Sequence, residues 1–166
     1  MRSSSNAEYS VISLSSFIRG FFSFEATEEK SKRLTSEKED LKRYSKQRWT
    51  YFSGSFYYIS TIKKSWRDSQ YDCWGKGADL VIIDSKEENF QKKLWIGLSD
   101  RLREGSWIWQ DGTPLRTSFW YPGEPNNFRG TEEDCAETKY YDYENSWNDV
   151  ECTNANFWMC EKKTGV

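Results

Sequence analysis

Short apolar runs separated by turn-forming residues dominate the chain beyond its first third. Residues 49–52 and 56–59 are rich in aromatic side chains and flank Ser53-Gly54-Ser55, a pattern that predicts two strands joined by a turn. Runs at 95–98 and 107–109 predict later strands. The pattern favours a domain of short strands over a helical bundle.

A helix is predicted over residues 65–74, because the serine at its first position is a typical N-cap. Trp66 and Cys73 are candidates for its inward face, together with either Gln70 or Tyr71. Glycines follow this segment and act as stop signals.

A second helix is predicted after the apolar run at residues 80–83. Its N-cap would be Asp84 or Ser85. Glu87 and Glu88 would then lie in the first turn, where the helix dipole favours acidic side chains.

Two N-terminal segments precede the predicted folded domain, which covers residues 49–163. Residues 1–24 are polar and then apolar, and we interpret them as a truncated anchor or a tail. Their apolar stretch contains Arg19 and is shorter than the roughly twenty residues that a membrane-spanning helix needs. Residues 25–48 are dense in both charge signs and contain two leucines one heptad apart. They predict either a solvated helix or linker, or a neck through which homo-oligomers form.

Composition excludes several functional classes. The chain has 24 basic and 26 acidic residues and a net charge of -2, which argues against a nucleic-acid partner. It contains no histidine, so the usual general base and the usual zinc ligand are both missing. Its 9 Trp, 10 Tyr and 10 Phe residues predict a core of large aromatic rings.

Four cysteines, Cys73, Cys135, Cys152 and Cys160, all lie in the predicted domain. No C-x-x-C spacing occurs, which argues against a zinc site. An even number of cysteines in an aromatic, loop-rich segment indicates an oxidising compartment. The residues alone permit three pairings.

The candidate chemistry lies in a long loop predicted over residues 111–135, which contains all 3 prolines, and in segments on either side of it. Carboxylate and amide side chains cluster there. The members are Asp100, Glu104, Glu124, Asn126, Asn127, Glu132, Glu133, Asp134, Asn148 and Asp149. Crowded like charges repel one another unless a cation is present. Because every ligand is an oxygen, the set predicts calcium in preference to magnesium or zinc.

Three motifs, in order with the cysteines, resemble the C-type lectin domain. They are Trp95-Ile96-Gly97-Leu98, Glu124-Pro125-Asn126 and Trp147-Asn148-Asp149, and the resemblance extends from about Trp49 to Lys162. Within that family, the chain resembles mannose-type dendritic-cell lectin receptors and their fish counterparts. The resemblance implies an α+β fold in which two helices flank two small antiparallel sheets, with a long calcium-binding loop region and two disulfides.

The resemblance also implies the geometry of the site. It pairs Cys73 with Cys160 and Cys135 with Cys152, and it places a cis peptide bond before Pro125. The implied principal calcium ligands, which would also hold the sugar, are Glu124, Asn126, Glu133, Asn148 and Asp149. The implied auxiliary calcium ligands are Asp100, Glu104, Asn127, Glu133 and Asp134. Glu132 remains open as an alternative to Glu133.

The Glu-Pro-Asn order resembles the form associated with mannose, fucose and N-acetylglucosamine. We therefore expect a calcium-dependent immune lectin that is not an enzyme, with its domain outside the cell, either in a type II membrane protein or secreted. Its expected partners are mannose-type glycans on glycoproteins or microbial surfaces. Phe128 either flanks a second sugar or is an exposed loop aromatic. The alternative function is that of a calcium-independent protein receptor of the same fold, as in natural-killer-type receptors.

Overall fold

The computed structural model describes residues 6–84, 92–139 and 143–164, with side chains from residue 24 onward. The chain divides into two compact units, Met1–Lys46 and Gln47–Val166. The first unit contains helix α1, Asn6–Lys46. The second contains a ten-residue helix and all the strands among the described residues.

Helix α1 continues without a break through the predicted boundary between residues 24 and 25. Ion pairs at helical spacing stabilise its exposed, charged half, as between Lys32 and Glu28 at 2.8 Å. Leu34 and Leu41 are 54% and 42% exposed. This half is a solvated helix in the single chain, and its role as a neck stays a prediction. Within the described residues, no helix has an apolar stretch long enough to cross a membrane.

The first two strands of the second unit form a tight hairpin. Strands β1 (Thr50–Phe52) and β2 (Ser55–Ile59) are antiparallel, and Phe52 pairs with Ser55. Ser55 therefore belongs to a strand and not to the predicted turn, and Trp49 precedes the first strand. The remaining turn residues, Ser53 and Gly54, both have positive φ, at 46° and 88°. Positive φ at both central residues is the requirement of a type I′ turn, which matches the twist of the two strands in a hairpin.

Helix α2 covers Trp66–Gly75, and its predicted N-cap is confirmed, since the Ser65 side chain accepts a hydrogen bond from the Asp68 backbone N–H. Trp66, Gln70 and Cys73 are buried on its inner face. Tyr71 is 48% exposed, so Gln70 is the inward residue of the two alternatives. The second predicted helix, with Ser85, Glu87 and Glu88, lies outside the described residues.

Six further strands complete the described part of the second unit. They are β3 (Asp79–Leu80), β4 (Leu94–Ser99), β5 (Ile108–Trp109), β6 (Cys135–Thr138), β7 (Trp147–Val150) and β8 (Phe157–Lys163). The main path of the sheet is β1-β2-β8-β4-β6-β7, while β3 pairs with β8 and β5 with β4. Among the described strands, only β4 and β8 pair in parallel, and this pair joins two antiparallel groups. The α+β class is confirmed.

The core is built around large rings, as the composition predicts. Trp147 is fully buried and makes edge-to-face contacts with Trp109, Phe119 and Trp120. Aliphatic side chains of β4 and of residues 81–83 surround this cluster. Rings in this geometry contribute roughly 0.5–1.5 kcal/mol per pair beyond their buried area.

Both implied disulfides are confirmed. Cys73 in α2 bonds to Cys160 in β8, and Cys135 at the start of β6 bonds to Cys152 just after β7. The sequence separations are 87 and 17 residues. Loop entropy then gives about 4–5 and about 3 kcal/mol of stabilisation. The second bridge holds together the hairpin strands that carry the site described next.

Candidate functional site

The loop between β5 and β6 runs beside strand β7, and this places its acidic residues next to that strand. The Tyr121 backbone N–H donates to the Trp147 carbonyl at 2.9 Å, and the Glu124 N–H donates to the Tyr121 carbonyl at 2.9 Å. The peptide bond between Glu124 and Pro125 is cis, as expected. The loop ends at residue 134, because Cys135 is the first residue of β6.

Asp149 is the centre of the principal site and is 1% exposed. Its Oδ2 accepts hydrogen bonds from the backbone N–H groups of Asn126 and Asn127, both at 2.9 Å. These two bonds hold the Glu-Pro-Asn turn against β7. Asp149 therefore fixes the position of the loop with one oxygen and leaves the other oxygen, Oδ1, for a different partner.

Two buried carboxylate oxygens in this site lack a donor. Among the described residues, no hydrogen-bond donor reaches Oδ1 of Asp149 or Oε2 of Glu124. Burial, and after it the hydrogen bond to Asp149 and the charge of that neighbouring carboxylate, together raise the pKa of Glu124 to about 7. The two groups can share a hydrogen bond only when one is protonated. When both are ionised, they present paired negative oxygens that need a cation.

Asn148 is 5% exposed and has partners on both ends of its amide. Its Nδ2 faces Oε1 of Glu137 at 3.4 Å and also donates to the Asp149 carbonyl. Its Oδ1 accepts from Nζ of Lys139 at 3.3 Å. One end of the amide faces two acceptor oxygens and must be the NH2 group, and the other end faces an ammonium and must be the oxygen. The oxygen of Asn148 thus faces a cation.

Glu133 and Asn127 are tied to each other within the loop. The Glu133 N–H donates to Oδ1 of Asn127 at 3.0 Å, and the Phe128 N–H donates to Oε2 of Glu133 at 2.7 Å. Glu133 is half-buried, whereas Glu132 is exposed. Of the two alternatives, Glu133 is the one held in place by the loop. Its role as a ligand stays a prediction, as does that of the exposed Asn126.

The auxiliary cluster is assembled by three carboxylates. Asp100, Glu104 and Asp134 each offer an oxygen, and these atoms all lie within 4.8 Å of one another. Asp100 is 3% exposed. Burial raises its pKa, and the charges of Glu104 and Asp134 raise it further. Asn127 joins the cluster by donating from Nδ2 to Oε1 of Glu104 at 2.7 Å.

Sequence reasoning missed two residues that line the principal site, Glu137 and Lys139. Glu137 is 2% exposed, accepts from Nδ2 of Asn156 at 2.8 Å and pairs with Lys93 at 3.2 Å. It lies opposite Asn148 in the hairpin register. A charged residue two positions after Cys135, inside a buried strand, is the signal that could have identified it.

Phe128 is 57% exposed, and the Arg129 guanidinium lies 5.0 Å from its ring centroid. It is therefore accessible and supported by a cation on one side. Its contact with a second sugar stays a prediction.

The donor set fits calcium. It consists of carboxylate and amide oxygens on loop segments and on strand β7. Within the described part of the chain, three of these oxygens, one each from Asp100, Glu124 and Asp149, are buried without a donor. Such sets suit a hard cation with flexible coordination. The family model for the Lectin C-type domain matches residues 62–162. The chain belongs to the C-type lectin domain family.

Relatives agree with this assignment. CD209 antigen-like protein A of Mus musculus is 46% identical over 125 residues, which is 69% of this chain and 50% of that protein. The chain thus spans about half the length of this relative. The trimeric Kupffer cell C-type lectin receptor Clec4f superposes with a TM-score of 0.69 at 34% identity, covering 82% of this chain and 96% of that chain.

The same fold also occurs without calcium. A calcium-independent type II antifreeze protein superposes with a TM-score of 0.62 at 27% identity, covering 69% of this chain and 91% of that chain. Because this neighbour is calcium-independent, the case for calcium in the present chain rests on its own side chains.

Proposed function

We propose that this domain binds mannose-type sugars through a calcium ion. The observation that carries the proposal concerns two neighbouring carboxylates, Glu124 and Asp149. Oε2 of the first and Oδ1 of the second are buried, and neither receives a hydrogen bond from any residue that the structure describes. A pair of buried negative oxygens is costly unless a cation compensates it. A divalent ion would supply that compensation, and the C-type lectin resemblance implies that the same residues also hold the sugar.

The residues that would hold this ion are Glu124, Asn126, Glu133, Asn148 and Asp149. A calcium ion held there would supply a Lewis acid for two neighbouring sugar hydroxyls. The protein side chains would complete the recognition, because a carboxylate can accept a hydrogen bond from each hydroxyl and an amide can donate one to its remaining lone pair. Asp100, Glu104, Asn127, Glu133 and Asp134 would hold an auxiliary ion that stiffens the loop.

Sugar selectivity is proposed from the order of the loop residues. Glu124 and Asn126 stand on either side of Pro125 and its cis peptide bond, in the order associated with mannose, fucose and N-acetylglucosamine. We expect weak binding at a single site, because few groups touch a sugar held at the surface, and much stronger binding to clustered glycans. Phe128 is proposed to flank the second sugar.

The setting of the whole protein is proposed as well. Two disulfides fit an oxidising, extracellular location, in a type II membrane protein or a secreted one. Glycans on glycoproteins or microbial surfaces are the proposed partners, in a role in innate immunity. Residues 25–48 are proposed as a neck for homo-oligomers, and the trimeric structure of Clec4f gives a reason to test this.

Calorimetry with mannose, in calcium and again with a chelator, tests the proposal. Binding is expected only with calcium, and galactose should give a much weaker signal. Glu124→Gln should abolish binding, whereas Glu151→Gln, the same change at an exposed acid, should preserve it. Equal mannose binding with and without calcium would support the calcium-independent alternative instead.

An enzymatic role is not proposed, although Glu124, Glu133 and Asp149 supply carboxylates of the kind that glycosidases use. The same acids are accounted for as metal ligands. Turnover of a fluorogenic mannoside by the purified protein, lost in Glu124→Gln, would contradict this assignment.

A further inference from the structure

Lys139 lies at the end of β6, where the β6–β7 hairpin loop begins. Its backbone N–H donates to the Ser146 carbonyl at 2.9 Å and closes the hairpin. Its side chain is half-buried and turns toward the principal site. Nζ lies 3.3 Å from Oδ1 of Asn148. The backbone and the side chain of Lys139 therefore have separate roles.

The Lys139 ammonium holds the atom that a calcium ion would use. Oδ1 of Asn148 is the only oxygen of that side chain, and its Nδ2 is already engaged by Glu137 and the Asp149 carbonyl. The positive charge of Lys139 also acts on the Glu124 carboxylate. The Lys139 ammonium thus offsets part of the negative charge of the site when no calcium is bound.

We propose that Lys139 sets the calcium affinity of this site by competing with the ion for Asn148 and Glu124. The ammonium stabilises the arrangement without calcium, and it must leave Oδ1 of Asn148 before the ion can bind there. Like charge beside the ion then weakens binding further. This inference rests on the proposed calcium function. It adds a residue, Lys139, that lowers the affinity of the site for calcium.

The first measurement is a calcium titration by calorimetry on the full chain. Lys139→Met keeps an unbranched side chain as far as Cε and the backbone bond to Ser146, but it removes the ammonium group and its charge. We expect its Kd for calcium to fall roughly tenfold, the effect of a unit charge about 6 Å from a divalent ion in a medium of high dielectric constant. Lys139→Arg should stay close to wild type. Lys92→Met, the same change at an exposed lysine of the same domain, should leave the Kd unchanged.

The second measurement separates this role from a merely structural one. Without calcium, Lys139→Met should melt at a lower temperature than wild type, because the acidic groups lose their internal cation. With saturating calcium the two melting temperatures should be equal. An unchanged Kd, or an equal loss of melting temperature with and without calcium, would overturn the inference. If neither wild type nor any variant binds calcium, the calcium proposal itself fails.

Discussion

One buried acid at one end of the sheet and a pair of buried acids at the other end differ in their hydrogen bonds. At the β2–β8 end, Glu161 is 7% exposed and receives hydrogen bonds from Oγ of Ser55 at 2.7 Å and from the Tyr57 hydroxyl at 3.4 Å. At the β6–β7 end, Glu124 and Asp149 are neighbours, and one oxygen of each has no donor among the described residues. The first acid is satisfied by the protein, while the second pair is left for an external cation.

This difference indicates where the candidate binding site of the domain is located. Among the described residues, the buried carboxylate oxygens without a hydrogen-bond donor belong to Asp100, Glu124 and Asp149, and all three lie in the candidate calcium sites. Such carboxylates without donors destabilise the folded domain, and the disulfides and the aromatic packing offset that loss. Four predictions test this contrast between the satisfied end and the unsatisfied end.

The largest effect is expected for Trp147→Ala, which removes the ring at the centre of the aromatic core cluster. The ring is fully buried, and the backbone of Trp147 holds the loop at Phe119 and Tyr121. Loss of a large buried ring should lower the free energy of unfolding by roughly 3–5 kcal/mol. Chemical denaturation measures it, and calcium binding should fall at the same time. A loss below about 1 kcal/mol would contradict the central packing role of this ring.

Asp149→Asn and Glu161→Gln form a matched pair, one at each end. Asp149→Asn should raise the Kd for calcium by roughly a hundredfold. Residues that only support metal ligands change metal affinity by about 10–100-fold, and a ligand itself should have an effect at least as large as the upper value. It should melt no lower than wild type in chelator, since it relieves repulsion with Glu124. Glu161→Gln should lower the melting temperature equally with and without calcium. Calcium titration and thermal melting measure both, and interchanged results would refute the contrast.

A smaller effect is expected at Asp72, which belongs to the satisfied end. Its carboxylate pairs with Lys76 at 2.6 Å and Lys64 at 3.2 Å. Burial alone would raise its pKa, but the hydrogen bonds from the two lysines outweigh burial and lower the pKa. A lowered pKa means that the stabilisation is present above the pKa of the unfolded chain and is lost as pH falls through that of the folded protein.

Asp72→Asn should therefore cost about 1 kcal/mol at neutral pH, and the difference from wild type should shrink below about pH 4. Urea unfolding at neutral pH and at about pH 3 measures this. A difference that is the same at both pH values would show that the ionised carboxylate is not the cause. Calcium affinity should be unchanged.

An effect of similar size is expected for Ser65→Ala, which removes the N-cap of α2. The Ser65 hydroxyl accepts from the Asp68 N–H at 3.2 Å and donates to Oδ2 of Asp68 at 2.6 Å. Loss of a serine cap should cost about 1 kcal/mol. Thermal melting detects it. Ser65→Asp should recover most of the loss, and a failure to recover would point to a packing role for the serine.

Local chemistry explains which elements could be predicted from the sequence. The hairpin turn, the cap at Ser65 and the inward positions Trp66 and Cys73 follow from residues close together in the chain. The choice between Gln70 and Tyr71 could not be made in this way, because both are compatible with an inward face of a helix. Packing against the sheet decided it in favour of Gln70.

The members of the candidate site could be predicted, but not their partners. Oxygen donors and the resemblance gave Glu124, Asn148 and Asp149, and the structure brings them together. Lys139 and Glu137 were missed because their roles depend on cross-strand register and on side-chain direction across β6 and β7. Neither property can be read from spacing along a single chain.

The strand order has a practical consequence for measuring recognition. Strand β1 lies at one outer position of the main path and β7 at the other, while β8, the last strand, pairs with β2. The first and last strands of the domain therefore lie toward one edge, and the acidic loops lie beside the opposite edge. A biotin tag or a sensor-chip tether attached next to β1 or β8 should leave the loops open to a glycan, so immobilised protein is suited to surface binding assays.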